Sequence, residues 1–257
     1  MKRWFAPARP RVLAHRGLAL EAPENSLLAF AQAMVIGVTH LETDVHATSD
    51  NIAVLSHDPD LHRLTGVATP IRDLTRFDLK HVRLGADETI ATLADALDAF
   101  PDAFFNIDIK VDGALAPAVA AISRAHAVGR VLVTSFDDRR RRAAVAALPG
   151  VATSASSRGV IAAALASHLP AAGAGRLRSR SLAGIDALQV PVRVRGIPIV
   201  TPGLIRLAHR HGVEVHVWTI NDPVQMTHLL DLGVDGIITD RADLAVTVLE
   251  SRASDPL

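Results

Sequence analysis

Short apolar runs of β-like composition alternate along this chain with longer stretches of helical spacing, and that alternation restricts the fold more than any other feature. The strand candidates are residues 11–14, 40–45, 52–55, 104–109, 130–134, 151–154, 187–189, 214–218 and 236–238. Between them, residues 26–36, 93–100, 114–127, 138–148, 159–165, 202–211, 223–232 and 241–250 repeat apolar positions at helical period. Asn25, Thr92, Thr201 (with Pro202 next) and Asn221 stand where N-caps belong. Gly37, Gly129, Gly150, Gly212 and Gly233 stand where helices should stop. Repeated βα units build parallel sheets, and about eight of them in 257 residues match a closed (β/α)8 TIM barrel of the α/β class better than an open sheet. With 49% hydrophobic residues, one barrel-sized domain over 1–257 has enough apolar surface for its core. Residues 59–88 are long for a βα connection and are expected as a small insertion or lid after the second strand. Residues 171–181, rich in Gly, Ala, Arg and Ser, are expected as a mobile loop.

Charge and composition narrow the function. Lys plus Arg and Asp plus Glu both number 27, so neither a nucleic-acid binder nor a stable membrane-surface binder is expected. Cysteine is absent, which removes disulfides, thiolate metal sites and cysteine catalysis. No run approaches the roughly 20 apolar residues of a membrane span, and no signal-like stretch precedes Val12, so a cytoplasmic location is expected. Oligomeric state is not legible.

Polar residues end several of the apolar runs: His15-Arg16-Gly17, Glu42-Thr43-Asp44, His57-Asp58 and Asp108-Ile109-Lys110. Catalytic groups on a TIM barrel come from the C-terminal ends of its strands, where His15, Glu42, Asp44, Asp108, Lys110 and Trp218 fall. Glu42 and Asp44 are two residues apart, as are Asp108 and Lys110, and on a strand that spacing points both side chains to one face. Three carboxylates from two strands suit one divalent cation, Mg²⁺ or Ca²⁺ rather than zinc. Lys110 adds a fixed positive charge, which suits an anionic substrate.

These segments resemble a known family. "AHRGLALEAPENSLLAF" is similar to the opening motif of the glycerophosphodiester phosphodiesterases. "LETDVHATSDNIAVLSHD" resembles their E-x-D…HD segment, "FNIDIK" their E-x-K strand, and "VHVWTIND" with "GVDGIITDR" their closing strands. The resemblance covers residues 12 to about 245. It implies His15 and His57 as the acid/base pair and Glu42, Asp44 and Asp108 as ligands of one divalent cation (Mg²⁺ or Ca²⁺, with Mn²⁺ tolerated). It further implies that Arg16 and Lys110 hold the phosphate oxygens and that Trp218 walls the glycerol end. The implied reaction is hydrolysis of a small-molecule glycerophosphodiester to glycerol 3-phosphate and an alcohol. Asp108 departs from the commoner Glu, Ser26 from Thr and Asn51 from a turn Gly, and the segment after His57 is short for the family.

Alternatives are a lysophospholipase D-like hydrolase of the same superfamily and a barrel that only binds a phosphoester. A zinc amidohydrolase is rejected, because His209-Arg210-His211 ends a helix rather than the first strand. Trp4-Phe5, expected exposed, would favour a lipid substrate. The insertion offers no contiguous apolar surface, so deacylated substrates are expected. Arg139 to Arg142 are expected as a solvated helix face, Arg176, Arg178 and Arg180 as a solvated loop, and the other histidines as structural.

Overall fold

The computed structural model describes residues 2–85, 88–168 and 179–254. Eight strands form the barrel: β1 (Arg11–His15), β2 (His40–Ala47), β3 (Phe104–Ile109), β4 (Val131–Thr134), β5 (Ala152–Thr153), β6 (Ala187–Pro191), β7 (Glu214–Trp218) and β8 (Gly236–Thr239). They pair in parallel in the order β5-β4-β3-β2-β1-β8-β7-β6. A parallel bridge between Ser154 and Ala187 joins β5 to β6 and closes the ring. Outside it pack α1 (Leu27–Val35), α2 (Leu93–Ala99), α3 (Leu115–Arg124), α4 (Asp138–Ala147), α5 (Ser157–Ser167), α6 (Pro202–Arg210), α7 (Pro223–Asp231) and α8 (Ala242–Ser254).

One strand candidate is not a stave. Ala53–Leu55 runs antiparallel to the end of β2, with Val45 opposite Leu55. A parallel crossover needs a dozen or more residues, and the short turn around Asn51 (φ 61°) only permits a hairpin. Two caps also differ. Ser26, not Asn25, accepts the Ala29 N–H at 3.1 Å, because Asn25 sits at φ 56° and accepts the Thr43 hydroxyl instead. Asp222, not Asn221, caps α7. Thr92 and Thr201 cap α2 and α6, as their spacing predicts. Gly129 lies within a 3-10 turn, Val128–Arg130, rather than ending a helix in the left-handed region.

Trp4 and Phe5 are buried, against expectation. Trp4 is 0% exposed and donates its indole N–H to the Phe105 carbonyl at 3.0 Å. The pair packs against Leu13, Leu132, Ala152, Ala187 and Ile238, so it seals the N-terminal mouth of the ring. A ring of short strands leaves a hole at that end, and an indole fills it. The basic run on α4 is also only half solvated. Arg140 donates to the Ile109 carbonyl and the Ser135 hydroxyl, and Arg141 is buried against Asp138, while Arg139 and Arg142 face solvent. Arg180 is exposed; Arg176 and Arg178, with most of the 171–181 loop, lie outside the described residues.

Residues 59–85 and 88 onward carry two short helices, His62–Thr65 and Arg76–Leu79, over their own apolar cluster of Val54, Leu61, Ile71, Leu79, Leu84 and Ile90. No helix among the described residues is long and apolar enough to cross a membrane.

Candidate active site

Strand register assembles the site. His15 pairs with Glu42, Glu42 with Asn106, and Asp44 with Asp108 across β1, β2 and β3. All eight candidate residues (His15, Arg16, Glu42, Asp44, His57, Asp108, Lys110 and Trp218) line one cavity of about 410 Å³ at the C-terminal end of the barrel. Arg16 leaves β1 at φ 58° and is followed by Gly17 at φ 85°. That tight exit needs glycine, since a Cβ on Gly17 would lie 2.7 Å from Ala29 Cβ. It returns the Arg16 guanidinium over the ring, with Nη1 3.0 Å from Glu24 and Nε 3.2 Å from Asp44 Oδ2. Lys110 Nζ bridges Asp44 Oδ1 (2.6 Å) and Asp108 Oδ2 (2.8 Å).

Each candidate histidine is held by a carboxylate. His15 Nδ1 lies 2.6 Å from Asp240 Oδ1, which leaves Nε2 3.9 Å from Glu42. His57 Nδ1 lies 2.8 Å from Asp58 Oδ1. Burial disfavours a charged His15, but the Asp240 hydrogen bond and the Glu42 charge outweigh it and raise its pKa above the ordinary imidazole value. Burial, then the neighbouring Asp44 charge, pushes Glu42 up to about 8. Burial raises Asp108 too, against the pull of Lys110. Lys110 is raised, because Asp108 and Asp44 overcome its own burial.

The donor set suits a hard cation in type. Asp108 Oδ1 is buried without a hydrogen-bond partner, a costly state for a carboxylate oxygen, and Asp44 Oδ2 makes no hydrogen bond and only the ion pair with Arg16. Together with the crowded Glu42 they form an oxygen-only set of the kind Mg²⁺ and Ca²⁺ take. Among the described residues no three His, Cys, Asp or Glu groups are already gathered as a metal cluster, and the Lys110 ammonium lies between Asp44 and Asp108.

Several residues at the site are absent from the sequence candidates. Asp240 follows β8 and is itself braced by Asn221 Nδ2 at 2.8 Å. It ends an apolar run, the same signal that marks the other candidates. Glu24 and Arg63 sit in a loop and a single helical turn, where no periodicity marks them. Arg63 joins Asp58 (2.5 Å) to Glu24 (2.6 Å), which ties His57 to Arg16. Gln189 donates to Asn106 at 3.0 Å. Apart from Asp240, the charged groups come from β1 to β3 and their loops. The arc from β4 to β7 lines the cavity with Phe136, Val160, Ile161, Pro191, Val194 and Trp218.

The model of the glycerophosphoryl diester phosphodiesterase family matches residues 15–244. The Mycobacterium tuberculosis protein named "Probable glycerophosphodiester phosphodiesterase 2" is 42% identical over 241 residues, which cover 93% of this chain and 90% of that protein. The crystal structure of a glycerophosphodiester phosphodiesterase from Parabacteroides distasonis matches with a TM-score of 0.76 at 24% identity, over 96% of this chain and 100% of that one. A phosphodiesterase from Oleispira antarctica, solved with the product sn-glycerol-3-phosphate, also matches with a TM-score of 0.76 at 24% identity, over 94% of this chain and 97% of that one. These two structures share the barrel. The family match runs from the first strand-end histidine into the last helix, and the mycobacterial relative is similar over nine-tenths of both chains, so this chain belongs to the glycerophosphoryl diester phosphodiesterase family of enzymes.

Proposed function

We propose that this enzyme hydrolyses glycerophosphodiesters to glycerol 3-phosphate and an alcohol, in a metal-dependent reaction that uses His15 and His57 as acid and base. The observation that carries the reading is the pairing of the two histidines: each is oriented by its own carboxylate, and both face a cavity that also holds three carboxylates and two cations. Lys110 and Arg16 offset two of the three carboxylate charges and a bound divalent cation would reverse the remainder, so that a phosphodiester monoanion can enter and set its non-bridging oxygens against them. Glu42, Asp44 and Asp108 would hold a divalent cation, which when bound supplies further stabilisation to the charge on the phosphoryl oxygens. With Nδ1 bound to Asp240, His15 presents Nε2 to take the proton of the attacking hydroxyl, and the Asp240 carboxylate stabilises the resulting imidazolium. His57, held through Nδ1 by Asp58, presents Nε2 to protonate the oxygen of the leaving alcohol. Trp218 walls the glycerol end.

Release of glycerol 3-phosphate from glycerophosphocholine tests this. Activity is expected to vanish with chelator and to return with Mg²⁺, Ca²⁺ or Mn²⁺. Asp44→Asn is expected to bind the metal more weakly in a direct titration while the barrel melts as before. Full activity in a metal-free sample would sink the metal assignment, and no release under any metal would sink the activity.

A further inference from the structure

The floor of the cavity is polar and takes no part in the proton transfers. Asn106 stands two residues before Asp108 on β3, and Gln189 two residues before Pro191 on β6. On a strand that spacing keeps the two side chains inside the barrel, about 6–7 Å deeper than the residues at the strand ends. Both line the cavity. Gln189 Nε2 donates to Asn106 Oδ1 at 3.0 Å, so the amides meet across the barrel from strands that are not neighbours. A buried amide is costly unless all its polar atoms are paired. Asn106 is 2% exposed, yet among the described residues neither its Nδ2 nor Gln189 Oε1 makes a hydrogen bond. The pair therefore offers the cavity one amide donor and one carbonyl acceptor, with no net charge, which suits hydroxyl groups and not an ion. Pro191 pairs with Trp218, so Gln189 lies one interior position below the residue assigned to the glycerol end. Asn106 lies one interior position below Asp108, whose partner Lys110 meets the phosphate. With the phosphate on Lys110 and the leaving alcohol at His57, the glycerol extends toward Trp218 and the floor beneath it.

We infer that Asn106 and Gln189 are specificity-determining residues that read the vicinal diol of the substrate's glycerol. One hydroxyl donates to Gln189 Oε1 and its neighbour accepts from Asn106 Nδ2, so the adjacent hydroxyls of a 1,2-diol match the adjacent free atoms of the amide pair. The inference rests on the hydrolysis proposed above and names the residues that select its glycerol half. Discrimination then falls on the diol: a substrate that lacks either hydroxyl leaves a floor amide unpaired in a buried site.

The test is kcat/KM for glycerophosphoethanolamine and for its counterparts in which the 1-hydroxyl, the 2-hydroxyl or both are replaced by hydrogen. The wild type is expected to lose roughly 10- to 100-fold for each hydroxyl removed. Gln189→Met, which keeps the length of the side chain, is expected to lower the value for the diol by about that factor and to leave the doubly deoxy substrate unchanged, so that the two converge. A calorimetric titration with glycerol 3-phosphate and with n-propyl phosphate, Mg²⁺ present, reads the same preference without turnover. Equal kcat/KM for all four substrates would overturn the inference and leave the hydrolysis standing. Discrimination undiminished in both Gln189→Met and Asn106→Ser would place diol recognition elsewhere and overturn the assignment. No turnover of any member would remove the hydrolysis. Equal binding of the two phosphate monoesters would then remove the inference as well, whereas a preference for glycerol 3-phosphate that Gln189→Met abolishes would uphold it.

Discussion

Asp240 decides what His15 can do. Its carboxylate takes the Nδ1 side of the imidazole at 2.6 Å, so only Nε2 faces the cavity, and it is braced in turn by Asn221. Asp240→Asn is expected to lower kcat about 10²-fold or more, by favouring the wrong tautomer, with little change in melting temperature. An unchanged kcat would mean that the bond serves only the fold. His15→Ala and His57→Ala are each expected to cost roughly 10²–10⁴-fold in kcat. The double variant should lose little more than either single one, because both act in one step. Losses that multiplied would show the two histidines working independently.

At the scale of elements, the turn after β1 and the single helical turn His62–Thr65 hold the site from two sides. Gly17→Ala would drive a Cβ to 2.7 Å from Ala29 at φ 85° and push α1 off the sheet. A loss of about 1–3 kcal/mol is expected in urea unfolding, and a wild-type midpoint would show that α1 shifts without cost. Arg63 connects the carboxylate that orients His57 to the one that holds Arg16. Its side chain is 47% exposed, so its ion pairs contribute at most about 1 kcal/mol to stability. Removing a support for two active-site groups has a different effect: Arg63→Ala is expected to lower kcat about 10-fold. Equal losses in stability and none in kcat would make it a surface pair only.

The whole molecule separates its two ends. The C-terminal end of the barrel carries the chemistry, while the N-terminal end carries Trp4, Phe5, His40, His216 and the Arg11–Glu214 pair (2.9 Å). Burial, with Arg11 and His216 nearby, holds His40 down to about 3 despite its bond to the Trp4 carbonyl. Glu214 is held at about 2, since hydrogen bonds from His216 and Arg11 overcome its burial. Both native values lie below the unfolded ones of 6.5 and 4.5, so the unfolded chain takes up protons first as pH falls. The decline expected as pH falls starts at 6.5 through His40 and is reinforced below 4.5 through Glu214, while Glu42, raised to about 8, acts in the opposite sense between pH 8 and 4.5. His40→Gln should flatten the upper part of that decline in urea melts taken across the pH range. A slope unaltered by the substitution would place the acid sensitivity elsewhere.

The order of elements and the chemistry-bearing residue types were written in local sequence. Phe104–Ile109 and Glu214–Trp218 form strands with the bounds their composition predicts, because an apolar β-branched run declares itself within a few residues. The strand-end polar groups are legible for the same reason: a charge at the end of a buried run needs a partner or a ligand. Adjacent capping residues were not separable, because backbone φ, and not side-chain type, selects Ser26 over Asn25. Trp4 found its place through a carbonyl 101 residues away, and His15 its carboxylate 225 residues away. The apolar arc of the cavity exists only because α5 and the hairpin after β6 close over it. Local periodicity is set by neighbours in the chain, whereas partner, exposure and proton affinity are set by neighbours in space, and only ring closure brings those together.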